Sequence, residues 1–158
     1  DDIEAARPTL DAIAKTVTRF GPLGAGISYK LIYNVTGAIQ VAALAEGMYA
    51  CEAAGIDLKV AAAAFVAGAT GSPHVSRHSK YMAYQSHEDP VQFSGKNRIK
   101  DLTYGIDLME ELGAQSVIGR ATRDVFGQMV GLDMGDLNDS ELIDTLRVAH
   151  ADTQPAKA

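Results

Sequence analysis

From Ala25 to Ala54, a span of 30 residues, only Lys30, Glu46 and Glu52 carry a charge. Few folds can accept such a run. Its most apolar part, Leu31–Ala45, is interrupted by Asn34, Thr36 and Gln40, and falls short of the ~20 apolar residues a membrane-spanning helix needs. Gly55 followed by apolar Ile56 is a helix stop, with glycine in the left-handed position and the next side chain packing back. The run therefore predicts one long helix, about 45 Å at ~1.5 Å per residue. Apolar nearly all round, it must be buried on several sides. Its length exceeds the diameter of a small domain, so a homodimer built on residues 25–54 is expected.

Around this rod the punctuation predicts shorter elements. Residues Asp2–Ala14 read as an amphipathic helix carrying Ile3, Leu10 and Ile13. Lys15–Phe20 is β-branched and alternating, the pattern of a strand. A single strand leaves its own backbone unsatisfied. Either the segment is no strand or its sheet lies in sequence beyond these 158 residues, and the second is the expectation. Asp57 caps a helix through Ala67, and Ser72-Pro73 opens a polar helix to about Gln85. Helices follow at Lys96–Leu112 and Arg120–Leu132, with a capping box of Asn138 and Glu141 for a last one ending near Ala149. The polar tail from His150 is expected to be disordered. The fold class is thus an all-α bundle around one long central helix, residues 21–149, with residues 1–20 as the end of a preceding domain.

Charge and cysteine usage narrow the partners. The net charge of −6 and the pI of about 5.1 exclude nucleic acid and an anionic membrane surface, both of which demand a basic face. Cys51 is the only cysteine, so no disulfide forms within the chain, and a reducing, cytoplasmic compartment is expected. The residue itself reads as a buried small hydrophobe. Asp1, Asp2 and Glu4 stand where a secretory signal would be basic.

Four constellations invite chemistry. Gly21-x-x-Gly24-x-Gly26 has the wrong spacing for a dinucleotide fingerprint and lacks the Lys-Ser of a phosphate loop; it reads as a hinge into the long helix. Lys30 and Asn34 are four residues apart and share a helical face with Gly26 and Gly37. An ammonium and an amide in an apolar helix are costly unless they face something polar, although a lysine snorkelling from the first turns would also fit. Lys100-Asp101 reads by spacing as a solvated pair. His74 and His78 have the spacing of zinc ligands without a third ligand or the Glu of H-E-x-x-H; they read as surface histidines, and no metal is expected.

Taken in order, Gly24-x-Gly26-x-x-x-Lys30-x-x-x-Asn34, then Glu46-Gly-Met-Tyr-Ala-Cys-Glu-Ala-Ala-Gly55-Ile-Asp57, then Phe93 ahead of Lys100-Asp101-Leu102, and late Gly135-Asp136-x-x-Asp139 resemble the β-hydroxyacid dehydrogenases of the 3-hydroxyisobutyrate dehydrogenase and tartronate semialdehyde reductase type. The resemblance covers nearly the whole chain. It implies a fold like the C-terminal domain of 6-phosphogluconate dehydrogenase and NAD or NADP as cofactor, bound mainly by an N-terminal domain that this sequence lacks. It implies a small hydroxyacid or semialdehyde as substrate. By position, Lys30 matches the catalytic lysine and Asn34 the substrate-orienting asparagine. Lys100 matches a lysine that touches the cofactor near its nicotinamide end, and Phe93 would wall that pocket. Tyr33 departs from the family, which usually has paired asparagines here. The resemblance further implies that this polypeptide alone is inactive. The alternative is a helical interaction module that kept the fold without the chemistry.

Overall fold

The structure is a computed structural model, and residues 2–151 are described. Seven α-helices and one 3-10 turn follow in order: α1 Asp2–Ile13, α2 Ala25–Ala53, α3 Leu58–Ala67, α4 Pro73–Tyr84, α5 Gly95–Glu111, α6 Val117–Gly131, the turn Asp139–Glu141 and α7 Leu142–Ala149. The described residues contain no sheet; their one β-bridge joins Ser94 to Asn138. The architecture is all-α, with α3 to α7 packed around α2.

Local chemistry sets the boundaries. Gly24 sits at φ 93° as the N-cap of α2, a conformation open to glycine because it lacks Cβ. At the other end Gly55, φ 75°, turns the chain so that the Ile56 amide donates to the Cys51 carbonyl at 2.9 Å, as in a Schellman closure. Asp57 accepts from the Lys59 and Val60 amides, Ser72 from Val75 and Ser94 from Asn97. The capping box is formed, with Asn138 accepting from Ser140 and Glu141 from the Asn138 amide. That box opens the 3-10 turn, and α7 continues from it.

The core is made by the second part of α2. Val35, Ala38, Val41, Ala42, Leu44, Ala45 and Met48 are buried against Ala61, Ala62, Val75, Met82, Leu102, Ile106, Phe126, Met129, Leu142, Ile143 and Leu146. Helices α2 and α5 pack tightly at Gly105. A Cβ there would overlap Val35 Cγ2 and stand 2.8 Å from the Leu31 carbonyl oxygen. This approach carries Asp101, one turn earlier on α5, to the face of α2 that bears Asn34.

Several expectations are corrected. Residues 15–20 form no strand, because no described segment lies alongside to complete a ladder; instead the Phe20 ring stacks on Tyr29 at 4.0 Å. Helix α1 does form, at Asp2–Ile13, but none of its residues is fully buried: Ile3 and Leu10 are half-buried and Ile13 is 79% exposed. The long helix is not buried along its whole length. All seven of its buried residues lie from Val35 onward, while Ile27, Tyr29, Ile32 and Tyr33 are exposed. Helix α6 begins at Val117, a turn earlier than the apolar spacing suggests. Cys51 is half-buried. Of the tail expected to be disordered, residues 152–158 lie outside the described residues; the His150 ring stacks on Tyr49.

Candidate active site

A cleft of about 380 Å³ opens where α2 passes from exposed to buried, and a smaller niche of about 100 Å³ adjoins it. Tyr33, Asn34, His74 and Arg98 line both. Arg77, His78, Glu88, Gln92, Phe93 and Asp139 complete the larger space.

Asn34 is held, not free to rotate. Its Nδ2 donates to Asp101 Oδ2 at 2.8 Å, and Lys100 Nζ lies 3.6 Å from Asp101 Oδ1. The sequence pair Lys100-Asp101, which spacing alone makes a solvated couple, therefore splits in role: Asp101 turns inward to Asn34 while Lys100 stays largely exposed. With Nδ2 engaged, Asn34 keeps its carbonyl oxygen for another donor. Lys30, one turn earlier on the same face of α2, is exposed. The burial that would suit a catalytic lysine is not found, because the first turns of α2 receive little cover among the described residues beyond the Phe20 ring on Tyr29.

Phe93 forms part of the cleft wall, and its ring carries the Arg98 guanidinium, with Cζ 4.4 Å from the centroid, within cation–π range. Its backbone is fixed by the loop ahead of α7. The Asp139 amide donates to the Phe93 carbonyl at 2.9 Å, and the Gly95 and Lys96 amides donate to Leu137 and Gly135.

The back of the cleft is a buried ion cluster that residue spacing did not announce. Arg98 donates through Nε at 2.7 Å and pairs through Nη2 at 2.6 Å with Asp139 Oδ2, while His78 Nε2 lies 3.3 Å from Oδ1. Burial works against the Asp139 carboxylate, but the His78 hydrogen bond and the Arg98 charge outweigh it and hold its pKa below the usual range. His74 and His78 are ring neighbours at 4.3 Å. They are not surface histidines: His78 is buried, and desolvation, then the charges of His78 and Arg98, push His74 down to about 4. Glu88 receives Arg77, Tyr81 and Asn138. Burial raises its pKa, and these hydrogen bonds lower it further than burial raises it. The only advance signals were the i,i+4 histidines and the late Asp139. Arg98 and Glu88 gave none, since Arg98 meets Asp139 across 41 residues and Glu88 meets Asn138 across 50.

The lysine-asparagine stripe, the tethered Lys100 and the late Asp139 are the features by which family membership can be tested. A family model described as "NAD-binding of NADP-dependent 3-hydroxyisobutyrate dehydrogenase" matches residues 24–146. The chain belongs to this family. It is 26% identical to the chloroplastic glyoxylate/succinic semialdehyde reductase 2 of Arabidopsis thaliana, over 92% of this chain and 40% of that protein. It is 27% identical to the 3-sulfolactaldehyde reductase of Escherichia coli, over 99% of this chain and 52% of the relative. The chain thus spans about half the length, or less, of these relatives. Among solved structures, a 3-hydroxyisobutyrate dehydrogenase from Salmonella typhimurium superposes with a TM-score of 0.83 at 24% identity, over 90% of this chain and 50% of that one. A Mycobacterium tuberculosis 3-hydroxyisobutyrate dehydrogenase crystallised with L-serine gives 0.80 at 24% identity, over 92% and 51%. These likenesses establish the fold. The family is an NAD(P)-binding one, and a further structural neighbour was solved with NADP+. No helix among the described residues is long and apolar enough to cross a membrane.

Proposed function

We propose that this chain is the helical, substrate-facing part of an NAD(P)-dependent hydroxyacid dehydrogenase, acting together with a nucleotide-binding domain placed against the exposed first turns of α2. The observation that carries the reading is Asn34, clamped by Asp101 at 2.8 Å with its carbonyl oxygen unspent, one turn from an exposed lysine and on the wall of a polar cleft. The residues fit an anionic dinucleotide at this rim. Lys30 and Lys100 are both exposed cations; Lys100 pairs with Asp101, and Asp101 holds Asn34, one turn from Lys30 on α2.

When bound, the nicotinamide supplies hydride to the carbonyl carbon of the substrate. The Lys30 ammonium gives its proton to the carbonyl oxygen, so that the aldehyde becomes an alcohol, and the amine left behind regains a proton from solvent. In the reverse direction the neutral amine accepts the hydroxyl proton. Asn34 Oδ1 accepts a hydrogen bond from the hydroxyl and fixes which face meets the cofactor. Phe93 and Lys100 bound the cofactor side, and a homodimer through α2 covers its exposed apolar side chains. Positioning of this kind, with one proton donor, is worth orders of magnitude in rate.

The test joins the chain to a nucleotide-binding domain of its family and measures NADH or NADPH turnover with a panel of semialdehydes. We expect activity in the joined protein and none in the isolated chain. Lys30→Ala should lower kcat by about 10²–10⁴-fold, the usual contribution of a positioned acid. Turnover by the isolated chain, or a Lys30→Ala protein that keeps full kcat, overturns the reading.

A further inference from the structure

We infer that Asn138, which does not itself line the cleft, is a positioning residue: it holds the loop 87–94, and with it Phe93, at the cleft wall through a directed run of side-chain hydrogen bonds. For what the cleft binds, this rests on the dehydrogenase reading.

The direction of each bond follows from one backbone amide. The Ser140 N–H can only donate, and it reaches Asn138 Oδ1 at 3.0 Å, which settles the end of the Asn138 amide that is oxygen. The Ser140 hydroxyl, 2.7 Å from the same oxygen, must then donate to it. With its hydrogen spent, Ser140 Oγ accepts, so His87 Nδ1 at 2.7 Å carries a proton and donates. At the other end of the amide, Asn138 Nδ2 donates to Glu88 Oε2 at 3.1 Å. His87 and Glu88 are neighbours in the chain, so the run from His87 through Ser140 and Asn138 to Glu88 closes into a ring. Ser140, His87 and Asp144, whose carboxylate stands 3.7 Å from His87 Nε2, have the residue types of a nucleophile triad. Ser140 is fully buried and its hydrogen is engaged, so that role is closed to it.

The ring fastens the start of the loop, and the backbone fastens its end. Glu88 also accepts from Arg77 and Tyr81 of α4. The Asp139 amide donates to the Phe93 carbonyl at 2.9 Å, and Ser94 bridges to Asn138. Between these points Asp89, Pro90, Val91 and Gln92 are all exposed. A segment with so little apolar burial is placed by its polar anchors. What it places is the cleft wall, since Gln92 and Phe93 line the space and the Phe93 ring meets the Arg98 guanidinium. Asn138 is 1% exposed, and its influence on the cleft passes through Glu88 and the loop.

Asn138 also caps the 3-10 turn, and chemistry separates the two roles. Its oxygen caps, and its nitrogen holds the loop. Aspartate caps a helix as well as asparagine does but has no N–H. Asn138→Asp therefore keeps the cap and sets one carboxylate against another at Glu88. Adding Glu88→Gln restores the pair with its direction reversed. The amide oxygen at 88 keeps Arg77 and Tyr81, which share Oε1. The amide nitrogen takes the place of Oε2 and donates to the carboxylate at 138.

The experiment follows the Arg98 side-chain NMR signals of the 158-residue chain, which report the place of the Phe93 ring through its ring-current shift. We expect Asn138→Asp to lose most of that shift and the double variant to regain it. The Ser140 amide, which reports the cap, should stay protected from exchange in both. In the protein joined to a nucleotide-binding domain, Asn138→Asp should raise KM for a semialdehyde at least about tenfold, the size of one hydrogen bond to a charged group. There kcat should stay within about threefold, as for a loss of binding alone, and the double variant should return KM to its native value. A native Arg98 signal in Asn138→Asp, or a double variant no nearer native than the single, overturns the inference. Where the single variant does not fold, Asn138→Ser replaces it, because serine caps the turn and is too short to reach Glu88. The same loss of shift is then expected, and a native shift overturns the inference. Turnover with an unchanged KM also overturns it and leaves the dehydrogenase reading intact. Shifts lost and regained in the chain, with no turnover in any joined protein, support the positioning of Phe93 and defeat the dehydrogenase reading.

Discussion

The two parts of α2 have nearly the same texture in sequence and opposite surroundings in the fold. From Val35 to Met48 seven side chains are buried, while Ile27, Tyr29, Ile32 and Tyr33 in the first turns are 37–60% exposed. The second part is enclosed because α3 to α7 are all threaded after it and fold back over it. The first part receives no such cover among the described residues. An apolar surface rimmed by polar groups marks a place where something else docks. The cleft sits at the boundary between these two regimes, where a ligand can touch rigid residues on one side and an incoming domain on the other.

That contrast can be broken or sharpened by substitution. The largest effect is expected at the boundary itself. Asp139→Ala strands the Arg98 guanidinium in a buried site and should cost about 3–5 kcal/mol; a loss below about 1 kcal/mol in urea unfolding would show that the cluster is solvated and the boundary is not sealed. Met48→Ala, at a position fully buried in the core, should follow at about 2–5 kcal/mol. Ile27→Ala, by contrast, should change the stability of the monomer by no more than about 0.5 kcal/mol. Should its cost grow with protein concentration in thermal melts, a second copy covers the first turns of α2, and sedimentation should show the dimer.

Acid provides a smaller probe of the same boundary. His74 titrates near 4 when folded against 6.5 for an ordinary histidine. Between those values the unfolded chain holds more protons, so this contribution is intact above pH 6.5 and lost as the pH falls toward 4. The ring is half-buried, and with solvent screening the loss should be about 1–2 kcal/mol. Comparing urea midpoints at neutral pH and near pH 4 in native and His74→Gln proteins checks it; the same pH dependence in both would remove His74 from the account. At still lower pH the depressed carboxyls of Asp139 and Glu88 add a further loss as they take up protons. At the cap, Asn138→Ala should cost about 1 kcal/mol of stability, read from the same urea midpoints.

Most of the element plan was legible before any coordinates. Asp57, Ser72, Ser94 and the Asn138–Glu141 box begin helices because a short polar side chain can reach the free amides of a first turn. Such bonds join residues within four positions of one another, so sequence spacing reports them directly. The stripe of Lys30 and Asn34 is legible for the same reason, since helical periodicity puts i and i+4 on one face. The strand expected at 15–20 failed because a ladder is a contact between segments, and β-branched alternation says nothing of whether a partner lies alongside. His74 and His78 looked like surface residues because α4 is polar, yet α4 turns that polar face toward Asp139 and Arg98.

By itself, then, the order of residues determined the helices, their caps and the family to which the chain belongs, because these depend on neighbours a few positions apart and on a motif order that survives any packing. The tertiary structure alone decided which part of the long helix is enclosed, that Asp101 holds Asn34 through one oxygen while facing Lys100 with the other, and that a buried Arg98–Asp139–His78 cluster backs the cleft. Those outcomes turn on burial and on charges brought together across 41 to 67 residues of chain. Separation on that scale leaves no periodic trace in a sequence.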